Sequence, residues 1–259
     1  MHQISPAEID TELSNYPTIQ KHIFKYKEII LGRNYDSGEL KKAKKKGYWW
    51  ALSSSRKEFD FSQPKILVPY RQKQNIIGYT REEYCASADV FFITQKKSNT
   101  SISLEVLLLL LNSKLFFLHL YAKGRRKGAL LELYKTPLEA IPLPKLSSYE
   151  HLVFDRLSKS IILLEGQKSD SGILQKVGEF LILEHYFCKN KDNDMSILSI
   201  VHQALESIFE KMDIDQRIQE LQKMSARWKL VNSLVSQSMK NFTSKHSHLC
   251  ASIFSKIDS

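Results

Sequence analysis

Three stretches of this 259-residue chain hold residue types at spacings that could do chemistry. Lys41, Lys42, Lys44, Lys45 and Lys46 stand just before Gly47 and the aromatic triplet Tyr48, Trp49 and Trp50. Arg125, Arg126 and Lys127 lie between Gly124 and Gly128. Cations at this density suit a polyanion, because each neutralised phosphate releases condensed counterions. The third stretch, Arg71-Gln72-Lys73-Gln74-Asn75, follows a predicted strand and mixes cations with amides. Arg can pair bidentately with guanine, and Asn or Gln with adenine. These five residues and Arg56 are therefore candidates for reading base edges, while the lysine cluster and Arg125 to Lys127 are candidates for phosphates. A solvated hairpin tip would have the same composition as the mixed run.

Catalytic patterns are weaker. The nine glycines never form G-x-G and the seven prolines never form a pair, so neither a glycine-rich cofactor turn nor a Pro-Pro catalytic loop is present. Glu39-Leu40-Lys41 has the triplet of a metal-dependent nuclease strand, but it sits inside a lysine run beside Gly38. His185-x-x-Cys188 and His246-x-His248-x-Cys250 could supply zinc ligands, although the spacings do not make a pair of zinc knuckles. No metal site and no bound cofactor are expected. Three widely spaced cysteines, Cys85, Cys188 and Cys250, fit reduced thiols rather than a disulfide framework.

Charge is distributed unevenly. Residues 1–145 hold 24 Lys and Arg against 14 Asp and Glu, and residues 146–259 hold 14 against 14, so the first part carries the whole net charge of +10. An apolar fraction of 42% is enough for a sizeable core. The longest apolar run, Val106 to Leu111, is far short of the ~20 residues of a membrane span. A cytoplasmic protein without a membrane segment is expected.

These residues need elements to position them. Ser5-Pro6-Ala7-Glu8 reads as a capped helix start. After Pro17, the apolar positions Ile19, Ile23, Tyr26 and Ile30 predict a second helix to about Leu31, with one face on a core. Trp49 to Leu52, Lys65 to Val68, Asp89 to Thr94 and Leu130 to Tyr134 read as strands, with Pro69 ending the second or placing it at an edge, and the third buried. Ser103 to Tyr121 predicts a helix buried on most sides and interrupted at Asn112-Ser113-Lys114, followed by a basic loop. Ile141-Pro142-Leu143-Pro144 forces an extended path. Helices follow from Tyr149, from Ile173 to Cys188 and from Met195 to Met212. Beyond them Ile214, Leu221, Trp228, Val235, Phe242 and Leu249 recur every seven residues with no Gly or Pro to break the run. That stripe predicts either one helix of ~60 Å with a coiled-coil seam or two helices folded back into a bundle.

The order of landmarks from Gly47 to Lys145 resembles the TaqI-like C-terminal specificity domain, the target-recognition module of adenine-specific restriction-modification methyltransferases and type IIG enzymes. The resemblance rests on Tyr16-Pro17 with the following helix and Arg33, on Trp49 or Trp50 with Leu52 and Arg56, and on Pro64-Lys65-Ile66. It continues through Leu111-Asn112-Ser113-Lys114-Leu115 to Ile141-Pro142-Leu143-Pro144. It covers roughly residues 15–145, and no one motif is specific. Recognition domains of type I restriction specificity subunits look similar.

The resemblance implies an α+β fold, a mixed α/β target-recognition domain over residues 1–145, followed by an all-α helical region over residues 146–259. It implies double-stranded DNA as a partner, approached by loops between strands, and adds Lys65 to the candidate contacts. Catalysis and SAM would belong to a separate methyltransferase or restriction subunit, docked on the helical region. That region is also the expected place for a second copy of the chain. Two other readings remain open, an assembly protein working through the helical tail and the C-terminal fragment of a fused type IIG enzyme.

Overall fold

The computed structural model describes residues 13–32, 41, 50, 60–86, 89–95, 102–188 and 196–254. The chain divides into two compact units, residues 1–60 and 61–259. In the first, α1 (Pro17–Phe24) and α2 (Lys27–Leu31) replace the single predicted helix, and neither contains a buried residue. The break comes where the Tyr26 N–H bonds the Ile23 carbonyl three residues back, which tightens the last turn of α1 and ends its ladder. The predicted helix at Ser5 and most of the predicted tryptophan strand lie outside the described residues, and Trp50 is a half-buried turn residue.

The second unit is α+β. Its strands are β1 (Lys65–Pro69), β2 (Arg71–Gln72), β3 (Gly78–Thr80), β4 (Val90–Thr94), β5 (Arg125–Lys127) and β6 (Leu130–Glu132). They form two antiparallel three-stranded sheets, ordered β3-β1-β4 and β2-β6-β5. β1 runs into β2 through Tyr70, whose N–H bonds the Asp89 carbonyl while its own carbonyl accepts from the Leu133 N–H. One residue thus joins the two sheets. β1 is central rather than an edge, and Pro69 is tolerated because β3 pairs only as far as Leu67, so no strand faces the missing donor. β4 is an edge strand and only half-buried along its length, where a buried strand was expected.

The leucine run forms α3 (Leu104–Leu111), followed by α4 (Lys114–Lys123) at a bend of 72°. Ser113 makes the bend by capping α4, its hydroxyl accepting from the Phe116 N–H and donating to the Leu110 carbonyl. Apart from Glu105, which accepts from Tyr79 and Arg81, α3 is wholly apolar because it is buried on two sides. Leu104, Leu108 and Leu111, spaced by four and three, pack on Ile66, Val68, Leu131 and Leu133 of the sheets. Val106, Leu109 and Leu110 pack into a helical core. Among the described residues no single helix is long and apolar enough to cross a membrane.

That helical core is built by α6 (Ser148–Gly166), α7 (Gly172–Phe187), α8 (Ile197–Lys211), α9 (Ile214–Trp228), α10 (Leu234–Lys245) and α11 (Ser247–Phe254), with the short α5 (Lys135–Glu139) preceding them. Side-chain caps set the corners. Ser147 and Glu150 form a capping box on α6, Asp213 and Gln216 another on α9, and both Glu184 oxygens accept the Ile197 and Leu198 N–H groups that open α8.

The seven-residue stripe does not lie on one long helix. Trp228 ends α9, and the Ser233 and Ser236 hydroxyls both donate to its carbonyl while Ser233 caps α10. Serines supply the stop that neither Gly nor Pro was there to make. Leu221, Trp228, Val235 and Phe242 are buried in the chain's own core, whereas Ile214 at the head of the stripe is exposed and Leu249 is partly buried.

Candidate nucleic-acid interface

The β2-β6-β5 sheet gathers the cations that the sequence left apart. The segment read as a basic loop is strand β5, and all three of its residues are exposed. Lys127 pairs with Leu130, so only Gly128 and Ala129 close the hairpin to β6. Gly128 has φ +61°, the left-handed conformation required at the first central position of a type II′ turn.

Register builds one face of this sheet. Arg71 and Arg125 both pair with Glu132, one from each side, and the three side chains form a row across the strands. Arg71 Nε donates to Glu132 Oε1 at 2.9 Å, and the Tyr134 hydroxyl donates to Glu132 Oε2 at 2.9 Å. The Tyr70 hydroxyl in turn donates to that of Tyr134 at 2.8 Å. The Arg71 guanidinium, and then the Tyr134 hydroxyl, hold the Glu132 carboxyl below the usual carboxylate range. Arg71 also lies over the Tyr70 ring at 5.1 Å, Arg125 over Tyr134 at 5.9 Å and Arg126 over Tyr121 at 5.1 Å. The guanidinium groups are thereby oriented by ring faces and one carboxylate, which limits the rotamer freedom lost on meeting a ligand.

The mixed run does not act as one group. Arg71 belongs to the row just described. Gln72 is only 4% exposed and points to the inner face opposite Leu131. Asn75 is half-buried, its Nδ2 donating to the Leu111 and Ser113 carbonyls. Lys73 and Gln74 are exposed.

Lys65 leaves the candidate set. It is 0% exposed, and its Nζ donates to the carbonyls of Phe61, Gln63 and Glu82. A buried ammonium held by three carbonyls clamps the start of β1 and does not reach a phosphate. Lys41 is exposed in the first unit, and Lys42, Lys44, Lys45, Lys46 and Arg56 lie outside the described residues. Glu132, Tyr70, Tyr134 and Tyr121 escaped the sequence reading. The two-residue spacing of Glu132 and Tyr134, which puts both on one strand face, could have signalled those two, and nothing local signals Tyr70 or Tyr121.

Beside the 73–76 turn a cavity of about 1000 Å³ opens between the β3-β1-β4 sheet and helices α3, α6 and α7. Its wall includes Leu67, Phe92, Leu108 and Ile161, and Glu179 stands among its polar residues. Both Glu179 oxygens accept the Lys114 N–H at 3.0 Å, yet burial pushes its carboxyl up to about 7. Elsewhere the Cys188 thiol lies 3.7 Å from His246 Nε2, while His185 turns to Glu150 at 2.9 Å. Among the described residues no group of three or more His, Cys, Asp and Glu is arranged to hold a metal ion.

Comparison with known proteins bears on the same segment. Residues 4–143, more than half of the chain, match the family described as the TaqI-like C-terminal specificity domain. The type II methyltransferase M.HindII of Haemophilus influenzae is 28% identical over 142 residues, which are 53% of this chain. The match spans only 26% of that methyltransferase's length.

Proposed function

This chain belongs to the TaqI-like C-terminal specificity domain family, and from that premise we propose that it recognises a double-stranded DNA target for a SAM-dependent DNA adenine methyltransferase, or methyltransferase-endonuclease, carried on a separate chain. The observation that carries the proposal is the exposed row and edge of cations, Arg71, Arg125, Arg126 and Lys127, the three arginines oriented by Glu132 and three tyrosines inside the matched segment. Phosphate contacts from such a sheet fix position, and a few neighbouring polar side chains read sequence. Residues 1–145 act as the recognition part and residues 146–259 as the docking part. Exposed Leu230, Val231 and Leu234 in the α9–α10 turn support the second assignment, because adjacent exposed aliphatic residues mark contact surfaces.

Fluorescence anisotropy of labelled duplex DNA between 50 and 200 mM salt tests the first assignment, with the chain alone and with its methyltransferase. Replacing Arg125, Arg126 and Lys127 by Ala should weaken all duplexes alike and reduce the salt slope by about 3, at ~0.9 per phosphate contact. Binding that is absent or independent of salt in both settings would refute the proposal.

The short span of the M.HindII match favours a second arrangement, in which recognition and methylation share one polypeptide. The mass of the native polypeptide from its source cells separates the two. A single chain much heavier than 30.0 kDa decides for fusion.

A further inference from the structure

We propose that the turn 73–76 is the sequence-reading element of this interface, with Lys73, Gln74 and Ile76 meeting base edges, and that Gln72, Asn75 and Asn112 are positioning residues that hold the turn in place. The proposal rests on the DNA-recognition reading above and divides its polar run into two roles.

Register places the turn. β2 ends at Gln72 opposite Leu131, and β5 and β6 meet just beyond the Lys127–Leu130 pair. The 73–76 turn and the Gly128-Ala129 hairpin tip therefore leave the sheet at the same end. With β6 between them, β2 and β5 stand about 10 Å apart at ~4.8 Å per strand spacing. The β5–β6 hairpin at that end is a two-stranded ribbon of the kind that a major groove of ~12 Å admits, and the 73–76 turn stands beside it. This end of the sheet carries Lys73, Gln74 and Ile76 on one prong and Lys127 on the other, and all four are exposed.

Hydrogen bonds explain why the amides divide. Gln72 Nε2 donates to Asn75 Oδ1 at 3.0 Å, and Gln72 Oε1 accepts from the Ile76 N–H at 3.3 Å, which closes the turn on itself. Asn75 Nδ2 donates to the Leu111 and Ser113 carbonyls, tying the turn to the α3–α4 bend. From that bend Asn112 reaches back, its Oδ1 accepting from the Ile77 N–H at 3.0 Å and its Nδ2 donating to the Ile77 carbonyl at 2.8 Å. Three side-chain amides thus make a closed ladder between a surface turn and the α3–α4 junction, where Leu111 and Ser113 are buried and Asn112 is exposed. A loop anchored at this density keeps one conformation before its ligand arrives, which is what discrimination among bases requires. Within the segment 72–76 the side chains left outside the ladder, those of Lys73, Gln74 and Ile76, are the exposed ones. Gln74 suits the donor and acceptor pair of adenine, Lys73 suits guanine, and Ile76, 61% exposed, suits the thymine methyl.

The experiment selects preferred duplexes from a randomised pool with the full chain, adding its methyltransferase if the chain alone binds weakly. Competition then compares the preferred duplex with its single-base variants. Gln74→Ala and Ile76→Ala should each lower discrimination at one or two base pairs by roughly 10-fold, at an unchanged salt slope. Asn112→Ala should lower discrimination at those same base pairs, again at unchanged slope, whereas Arg125→Ala should lower affinity for all duplexes equally. Thermal melting checks that Asn112→Ala is folded; if it is not, the exposed Gln74 and Ile76 variants decide alone. Specific binding whose preferences survive Lys73→Ala, Gln74→Ala and Ile76→Ala overturns this inference and leaves the DNA-recognition reading standing. Absence of salt-dependent binding by the unaltered protein overturns the reading itself.

Discussion

Replacing Glu179 by Gln should stabilise the protein at neutral and alkaline pH. Two effects compete at this side chain. Its carboxylate accepts the first N–H of α4, where the helix dipole favours negative charge by ~0.3–1 kcal/mol. Against that stands burial at the edge of an apolar cavity, which favours the protonated form. Burial wins, and the carboxyl rises from 4.5 to about 7. At 1.36 kcal/mol per pH unit, the shift corresponds to roughly 3 kcal/mol. Because the folded carboxyl binds its proton more tightly than the unfolded one, the stabilisation is complete below pH 4.5 and is lost as pH rises through about 7. Gln keeps an acceptor for Lys114 and does not titrate. Urea denaturation of both proteins from pH 4.5 to 8.5 isolates the effect in the difference of their stabilities, since all other groups cancel. The variant should gain on the parent by about 3 kcal/mol across that range, or less if water enters the cavity beside the ionised group. A flat difference would refute the burial argument, and a difference of opposite sign would show that helix capping dominates.

Two further perturbations probe the scaffold. Lys168 has φ +53° at the end of α6, where the Lys168 N–H bonds the Glu165 carbonyl and the Ser169 N–H bonds that of Leu164. This is a Schellman motif with a lysine in the position glycine prefers, so Lys168→Gly should stabilise by about 1 kcal/mol in denaturant titrations. Gly124→Ala should do the reverse, because its new methyl would lie 2.7 Å from the Leu120 carbonyl oxygen and 2.6 Å from Leu131 Cδ1. A loss of about 1–3 kcal/mol is expected, together with weaker DNA binding, since the clash sits at the root of the β5–β6 hairpin. Unchanged stability and binding would mean that the hairpin does not depend on this close approach.

What the sequence disclosed, and what it hid, divides along a physical line. Composition showed that residues 104–111 are largely buried, because seven of the eight successive positions are apolar. It could not show that Leu104, Leu108 and Leu111 serve one core while Val106, Leu109 and Leu110 serve another, since that depends on which elements arrive from either side. Asn112 was legible as a break in a leucine run, but its partner Ile77 is 35 residues away, and local pattern does not carry pairing at that range. The repeat of seven misled for a geometrical reason. Seven residues are close to two turns of any α-helix, so Leu221 and Trp228 share a face of α9, and Val235 and Phe242 a face of α10, without the helices being continuous. Only the seven-residue step across the serine-capped turn made them look like one stripe. The cations followed the same rule. The cations of the β5 hairpin are exposed, whereas Lys65 carried the same charge into the interior, where three distant or flanking carbonyls, invisible as such in the sequence, hold it. Composition is therefore a guide to what a segment can bind, and strand register decides whether it faces outward to do so. In this chain the register that sets Arg71 and Arg125 on either side of Glu132 also turns Gln72 inward, so the same ladder that builds the exposed cationic row removes one expected reader from it.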